Sequence, residues 1–163
     1  MVVSGKSGTG KSTLVERAFQ TEQESCLFCS GKFENSARET SPFATLIGCF
    51  SELSHAMAKS SSRLDYRTSL TDVLEARGIS ILTKMVPSIA DLMGPVTEDS
   101  DDGSLQQKLH SSQNKNDLEQ LKFVLRQFLV TVSQRKRPVV MFLDDLQWMD
   151  LPSFQLIESL LNN

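Results

Sequence analysis

The chain has 163 residues, a length that suits about one domain and allows a real hydrophobic core. Its 17 basic and 20 acidic residues leave a net charge of −3, so the composition gives no support to a nucleic-acid partner. It has no apolar run of about 18 residues and no charged segment leading into an apolar signal core. The sequence therefore predicts neither a membrane span nor a secretion signal, and we expect an intracellular, cytoplasmic protein.

The first feature along the chain is a glycine-rich loop at residues 4–13, which contains the pattern G-x-x-x-x-G-K-S. The apolar residues 1–3 before it predict a short strand, and a helix is expected to begin at Lys11. The glycines open backbone conformations that are closed to other residues, so successive N–H groups can converge on one anion. A chance match in a glycine-rich turn is the alternative, but the order strand, loop, helix favours a phosphate-binding P-loop.

This loop carries the predicted nucleotide site. The helix starting at Lys11 adds the positive end of its dipole, and the Lys11 ammonium can neutralise the outer phosphates, which makes it a candidate catalytic residue. The Ser12 hydroxyl can bind magnesium. The predicted nucleotide-binding residues are Gly5, Lys6, Ser7, Gly8, Thr9, Gly10, Lys11, Ser12 and Thr13.

Helices and strands alternate after the loop. The first helix has an apolar face at helical spacing, formed by Leu14, Val15, Ala18 and Phe19. Residues 26–33 read as a second strand that runs into a loop. Ser41 followed by Pro42 is a typical helix start, and the apolar spacing after it predicts a helix to about Lys59.

Three cysteines, Cys26, Cys29 and Cys49, do not suggest a disulfide framework. Cys26 and Cys29 are formally a C-x-x-C pair. A zinc or redox site would need a second cluster or a helix start, and neither is visible in the sequence. We therefore predict buried, reduced structural thiols.

The middle of the chain is less sharply patterned. Residues 64–77 read weakly as a helix that stops at Gly78, and residues 79–86 fit a helix or a strand equally well. A short helix follows at residues 87–93. The composition is then acidic and polar over residues 96–116, which we interpret as a disordered or mobile loop inside one domain.

The next helix is expected to be capped by Asp117, with Gln120 in the reciprocal position. Its predicted buried stripe consists of Leu118, Leu121, Val124, Leu125, Phe128, Leu129 and Val132. The basic residues 135–137 before Pro138 can be read as a nucleic-acid patch or a localisation signal. Cations that end a helix before a proline are also ordinary, and we favour that interpretation.

A second chemical motif lies at residues 139–145, where five apolar residues end in two carboxylates. A continuous apolar run is typical of a parallel strand buried on both faces, and ligand sites lie at the carboxyl ends of such strands. The pattern is weak alone, but downstream of a P-loop it indicates a Walker B strand. Asp144 would then hold the magnesium shell through water, and Asp145, the candidate catalytic carboxylate, would polarise the water that attacks the γ-phosphate. Asp150 is expected to cap a final helix.

These segments together resemble the AAA ATPase domain of the origin-recognition-complex-like class within the STAND group of signalling NTPases. The similarity is greatest to versions fused to protein kinases, histidine kinases and cyclases. It is carried by residues 3–13, 30–33, 42–47, 86–89, 92–95 and the string L-D-D-L-Q-W-x-D at 143–150. The resemblance implies a P-loop NTPase fold of the additional-strand class, a three-layer α/β/α arrangement with a parallel sheet. It also implies ATP with Mg²⁺ as ligands, and a role as a switch or scaffold for attached signalling domains.

Members of that family carry a segment before the first strand. They also continue beyond the Walker B strand into a strand with a polar sensor residue, an arginine and a lid. We therefore expect residues 1–163 to be a partial domain, truncated after Walker B and without the middle strand of its sheet. Such a chain should bind ATP but hydrolyse it weakly or not at all, and its open strand edges favour self-association. The alternative is a non-catalytic interaction or regulatory fragment that keeps both motifs mainly as structure. Trp148, a signature residue, is expected to pack against the final helix.

Overall fold

The structure is a computed structural model that describes residues 2–6, 8–20, 22, 25–34, 43–94, 115–133 and 137–161. Its helices are α1 (Lys11–Gln20), α2 (Ala44–Lys59), α3 (Arg63–Met85), α4 (Ile89–Met93), α5 (Lys115–Ser133) and α6 (Leu151–Leu161). Its strands are β1 (Leu27–Lys32) and β2 (Val139–Asp144), and a 3-10 turn covers Leu146–Trp148. The described residues thus form a mixed α/β fold, mostly helical, with a small parallel sheet.

The two strands pair in parallel, in a register that sets Leu27 beside Val139 and Lys32 beside Asp144. The carboxyl ends of both strands therefore meet at one edge, where the second motif lies. All residues of β2 are half-buried, so the predicted burial on both faces is wrong. Within the described part of the chain β2 has a paired neighbour on one side only, which leaves its other side partly open.

The two outer edges of this sheet differ. On the outer edge of β1, the Ser30 N–H donates to the Glu52 carboxylate at 2.8 Å, and the Thr45 hydroxyl donates to the Lys32 carbonyl at 3.3 Å. Side chains of α2 therefore occupy the pairing groups of that edge. Among the described residues, no backbone hydrogen bond crosses the outer edge of β2. An apolar strand with an open edge can accept another strand.

The strand predicted before the glycine-rich loop is not formed. Residues 2–6 have no regular secondary structure, and Val2 and Val3 are 90% and 41% exposed, while Met1 lies outside the described residues. A strand needs a hydrogen-bonded neighbour, and β1 and β2 pair only with each other in the described sheet.

Helix α1 begins at Lys11, as predicted. Its Phe19 ring stacks on Phe28 of β1, with ring centroids 5.2 Å apart and planes 8° apart. Leu14 and Ala18 are exposed, so the apolar face predicted for this helix is too wide. The narrow two-stranded sheet offers α1 too little apolar surface to cover all four residues.

Helix α2 ends at Lys59, as predicted, and β1 lies within the predicted second strand. The predicted start at Ser41 and Pro42 lies outside the described residues. Phe43 precedes the helix with a left-handed φ of 68°. The inward face of α2 supplies much of the core, through Leu46, Cys49, Phe50, Leu53 and Met57.

Helix α3 continues past Gly78 to Met85, so the predicted stop is wrong and residues 79–85 are helical. The irregularity lies earlier, at Glu75, where φ is 53° and ψ is 176°. A Cβ at Gly78 would be crowded only within α3, at 3.1 Å from the Leu74 Cβ, and would make an ordinary contact of 3.8 Å with a Val124 methyl of α5. The short helix α4 follows as predicted and ends at Gly94.

Helix α5 begins at Lys115, so Asp117 lies within the helix and the predicted cap is wrong. The predicted stripe is buried at Leu121, Val124, Leu125, Phe128 and Val132 and partly buried at Leu118 and Leu129. Phe128 meets Phe50 edge to face, with centroids 5.7 Å apart. Of the predicted loop, residues 96–114 lie outside the described residues and residues 115–116 belong to α5.

The basic triplet is described only at Arg137, which follows the end of α5. Its guanidinium donates to the Cys26 carbonyl at 3.1 Å. Arg137 therefore joins the segment before β2 to the segment before β1. This contact replaces the predicted role of Arg137 at a helix end.

All three cysteines are buried and free, as predicted. The pKa of the Cys29 thiol is raised well above its ordinary value by its hydrogen bond with Cys49 and by burial. A thiol held in the protonated form is a poor nucleophile, so this pair is structural. None of the helices in the described ranges combines the length and the apolar character that a membrane-spanning helix needs.

Replacing Gly31 by alanine is expected to destabilise the fold by about 1–3 kcal/mol, because α2 packs too closely on β1 for a side chain. A Cβ at Gly31 would lie 2.6 Å from the Cys49 sulfur and 2.7 Å from the Thr45 methyl. Urea denaturation followed by circular dichroism measures the free energy of unfolding.

The matched control for that prediction is Gly48→Ala, since Gly48 is a helical glycine with no atom within 4 Å of its Cβ position. That change is expected to stabilise the protein by about 0.5–1 kcal/mol through helix propensity. Equal effects of the two substitutions would contradict the close approach of α2 to β1.

Candidate functional site

The glycine-rich loop is tightly folded. Gly8 and Gly10 both adopt φ of 79°, a conformation that favours glycine over residues with a side chain. The Thr9 hydroxyl donates to the Lys6 carbonyl at 2.9 Å across the turn. Ser7 lies outside the described residues. The described part of the loop therefore has the backbone that its glycines predict.

The Lys11 side chain folds back over this loop. Its ammonium donates to the carbonyls of Gly5 at 3.0 Å and Lys6 at 2.8 Å. The positive charge is thus held at the loop, at the start of α1, where the helix dipole also favours an anion. The carbonyl contacts are weaker partners for an ammonium than a phosphate oxygen, since hydrogen bonds between ionised groups are the stronger ones.

One contact joins the two sequence motifs. The Ser12 hydroxyl donates to Asp144 Oδ2 at 2.5 Å, although the two residues are 132 positions apart. It connects the first turn of α1 to the carboxyl end of β2. The tertiary structure therefore brings the glycine-rich loop and the acidic strand end together, with the two residues predicted to hold magnesium in contact.

A cavity of about 240 Å³ lies at this junction. It is lined by Ser12, Glu16, Ser30, Gly31, Lys32, Phe142 and Asp144. Five of these, Glu16, Ser30, Gly31, Lys32 and Phe142, were not predicted as site residues. The position of residues 30–32 at the end of a predicted strand is the signal that could have identified three of them, because ligand sites lie at such ends.

Asp145 lies beside the cavity but does not line it. It has a left-handed backbone, with φ of 54° and ψ of 44°, and its N–H donates to Asp144 Oδ1 at 2.9 Å. Its two carboxylate oxygens have separate partners: Lys32 Nζ lies 3.5 Å from Oδ2, and Gln147 Nε2 donates to Oδ1 at 3.1 Å. The adjacent carboxylates of the second motif therefore point to different partners.

The whole chain, residues 1–163, matches the family described as AAA ATPase domain. The chain belongs to the AAA ATPase domain family. It is also 29% identical over 165 residues to Hybrid signal transduction histidine kinase G of Dictyostelium discoideum. That alignment covers 100% of this chain and 4% of the kinase, so the chain spans a small part of its relative. No solved structure is significantly similar to it.

The oxygen atoms of this AAA ATPase domain fit the preferences of magnesium. The Ser12 hydroxyl and the Asp144 carboxylate are hard oxygen ligands, and Mg²⁺ takes few of these from a protein because it keeps several waters. Within the described ranges, no three histidine, cysteine, aspartate or glutamate side chains lie together in a group that could hold a metal ion. Ser12 and Asp144 therefore fit a magnesium ion that keeps most of its waters.

The segment after β2 in the AAA ATPase domain leads into α6, and the N-terminus of this helix is capped by a side chain. Asp150 Oδ1 accepts the Ser153 N–H at 2.8 Å, and Oδ2 accepts the Ser153 hydroxyl at 2.7 Å. Asp150 is therefore the helix cap that the sequence predicts. Thr13 is exposed at the first turn of α1. The packing of Trp148 against α6 stays a prediction.

Proposed function

We propose that this AAA ATPase domain binds Mg-ATP and acts as a regulatory switch or scaffold in a signalling protein. The observation that carries the proposal is the hydrogen bond between Ser12 and Asp144, which unites the phosphate loop with the acidic strand end. A glycine-rich loop alone would support phosphate binding. The nearby carboxylate adds the charge that a magnesium ion bound to the phosphates needs.

In this proposal residues 5–13 bind the phosphates, with Lys11 exchanging its loop carbonyls for phosphate oxygens. Ser12 and Asp144 hold the magnesium ion, which supplies charge neutralisation on the phosphates when bound. Asp145 orients water for hydrolysis. The chemistry asked of the protein is positioning and electrostatic stabilisation, since phosphoryl transfer needs little covalent help.

We also propose that the chain is part of a larger three-layer α/β/α domain of the additional-strand class, in the origin-recognition-complex-like, STAND group. Support comes from the parallel order of β1 and β2 and from the open apolar edge of β2, which can accept further strands. Self-association through that edge is the other way to cover it. The signalling role is proposed from the similarity to a signal transduction histidine kinase, and an intracellular setting agrees with three free thiols.

A second candidate is a module that binds nucleotide without hydrolysing it. The observation that favours it is the position of Asp145, whose carboxylate is occupied by Lys32 and Gln147 outside the cavity. In that case Asp145→Asn leaves phosphate release at the background rate. If the chain does hydrolyse ATP, the same change lowers the rate by about 10²-fold or more, because a general base is lost.

The test of the main proposal is a titration of labelled ATP and labelled GTP into the purified chain, with and without magnesium, with phosphate release assayed in parallel. We expect saturable ATP binding that tightens in magnesium. The two nucleotides together report base preference, which the phosphate site does not decide. Absence of binding to either nucleotide would overturn the proposal.

A further inference from the structure

We infer that Glu16 makes the site selective for a nucleotide that carries magnesium over the same nucleotide without a metal. Its carboxylate favours a divalent cation beside Ser12 and Asp144, and it repels a polyphosphate that brings no cation. This inference rests on the proposed function, because it requires a nucleotide in the site. It assigns ligand selection to a residue outside both sequence motifs.

Glu16 lies on the inward side of α1. It is half-buried and lines the cavity at the strand ends. Residues three and four apart share one face of a helix, so Glu16 lies on the same face as Ser12 and Phe19. Ser12 contacts Asp144 of β2. Phe19 stacks on Phe28 of β1, so Glu16 faces the sheet between two contacts that fix the helix against it.

The Glu16 carboxylate has no protein partner within the described ranges, where neither a hydrogen bond nor an ion pair reaches it. A half-buried charge loses part of its hydration, and a partner of opposite charge or a hydrogen-bond donor compensates that cost. Asp144 has such donors in the Ser12 hydroxyl and the Asp145 N–H. A magnesium ion at Ser12 and Asp144 keeps several waters, and these waters would supply donors for Glu16.

The side chains around the cavity give it a negative charge. Glu16 and Asp144 both line it. Lys32 is the one cation among its described lining residues, and the Lys32 ammonium lies 3.5 Å from the Asp145 carboxylate beside the cavity. Asp145 therefore offsets the charge of Lys32, and the two lining carboxylates favour a cation.

Opposite charges lie on the two sides of the start of α1. The Lys11 ammonium lies over the glycine-rich loop, and Glu16 follows more than one helical turn later on the cavity side. A nucleotide with magnesium supplies an anion for the loop and a cation for the cavity. Without the metal, the same phosphates approach two carboxylates with nothing to offset their repulsion.

The experiment measures the affinity of labelled ATP by fluorescence anisotropy, in magnesium and in EDTA at equal ionic strength, for the wild type and Glu16→Gln. Glutamine keeps the size of the side chain and removes its charge. We expect the gain in affinity from magnesium to fall by about three- to tenfold in the variant, because Mg-ATP binds more weakly and free ATP more tightly. A thermal melt checks the fold.

Salt distinguishes a charge effect from a structural one. At about 1 M salt the screening length is about 3 Å, so the difference between the wild type and Glu16→Gln should shrink. A merely structural role of Glu16 would leave that difference unchanged. Glu16→Asp keeps the charge and should retain most of the magnesium gain.

The matched control is Glu158→Gln, the same chemical change at an exposed position of α6, which should behave as the wild type. If Glu16→Gln fails to fold, Glu16→Ala takes its place with the same expected loss, since alanine favours a helix.

The outcomes separate the two proposals. If the wild type binds ATP neither in magnesium nor in EDTA, the proposed function is wrong and this inference falls with it. If magnesium tightens binding equally in the wild type and in Glu16→Gln, the proposed function stands and the role of Glu16 is overturned. Equal weakening of the variant in magnesium and in EDTA would also overturn it, since selection for the metal would then be absent.

Discussion

Substituting Lys11 by alanine is expected to weaken Mg-ATP binding by at least about 30-fold, the range in which truncating one partner of a buried charge pair falls. The reason is that the Lys11 ammonium folds back over the loop and brings a full positive charge there, whereas the backbone amides of the loop carry only partial charges. Its present partners, the carbonyls of Gly5 and Lys6, are exposed and can bind water instead. The fold should therefore survive, and the free energy of unfolding should change by no more than about 0.5 kcal/mol.

Fluorescence anisotropy of labelled ATP measures the loss, and a thermal melt checks the fold. The control is Arg17→Ala, which removes the other positive charge of α1 from an exposed position one turn or more beyond the loop. That variant should bind ATP as the wild type does. Unchanged ATP affinity in Lys11→Ala, with the fold intact, would refute a phosphate site at this loop.

The second large effect is expected from Asp144→Asn, which should reduce the gain in ATP affinity from magnesium by about 10–100-fold, as loss of an outer ligand does. Binding of ATP without magnesium should not weaken, because a negative charge near the phosphates has been removed. The asparagine oxygen can still accept the Asp145 N–H, and its amide can donate to the Ser12 hydroxyl. The change therefore tests charge more than structure.

A magnesium titration at fixed labelled ATP measures this effect. Asp72→Asn, a chemically identical change at an exposed position of α3, serves as the control and should leave the magnesium dependence unaltered. A variant at Asp144 that responds to magnesium like the wild type would show that this carboxylate lies away from the metal.

The sheet has features that local sequence specifies and others that depend on tertiary contacts. The apolar run of β2 and its terminal carboxylates are local patterns, so the sequence predicted both the strand and its chemical end. The strand before the loop was predicted from three apolar residues, and residues 2–6 are irregular. A strand depends on a neighbour to pair with, and three residues do not specify one.

For the helices too, the sequence predicted the local features and missed those that depend on packing. Apolar spacing located the buried faces of α2 and α5, because burial follows a period that is visible in the sequence. It failed at Gly78, where a glycine that reads as a helix end lies inside α3, close to Leu74 of the same helix. It also failed at Leu14 and Ala18, because the width of the sheet under α1 is set by strand pairing elsewhere.

For the site, the sequence by itself determined the glycine-rich loop, its lysine and the two carboxylates, since each depends on neighbouring residues within one segment. Only the tertiary structure decided that Ser12 meets Asp144, that Lys32 lies at Asp145, and that Asp145 remains outside the cavity. Those contacts follow from the register of β1 with β2 and from the packing of α1 against the strand ends. Because such pairings join segments far apart in the chain, no local pattern specifies them.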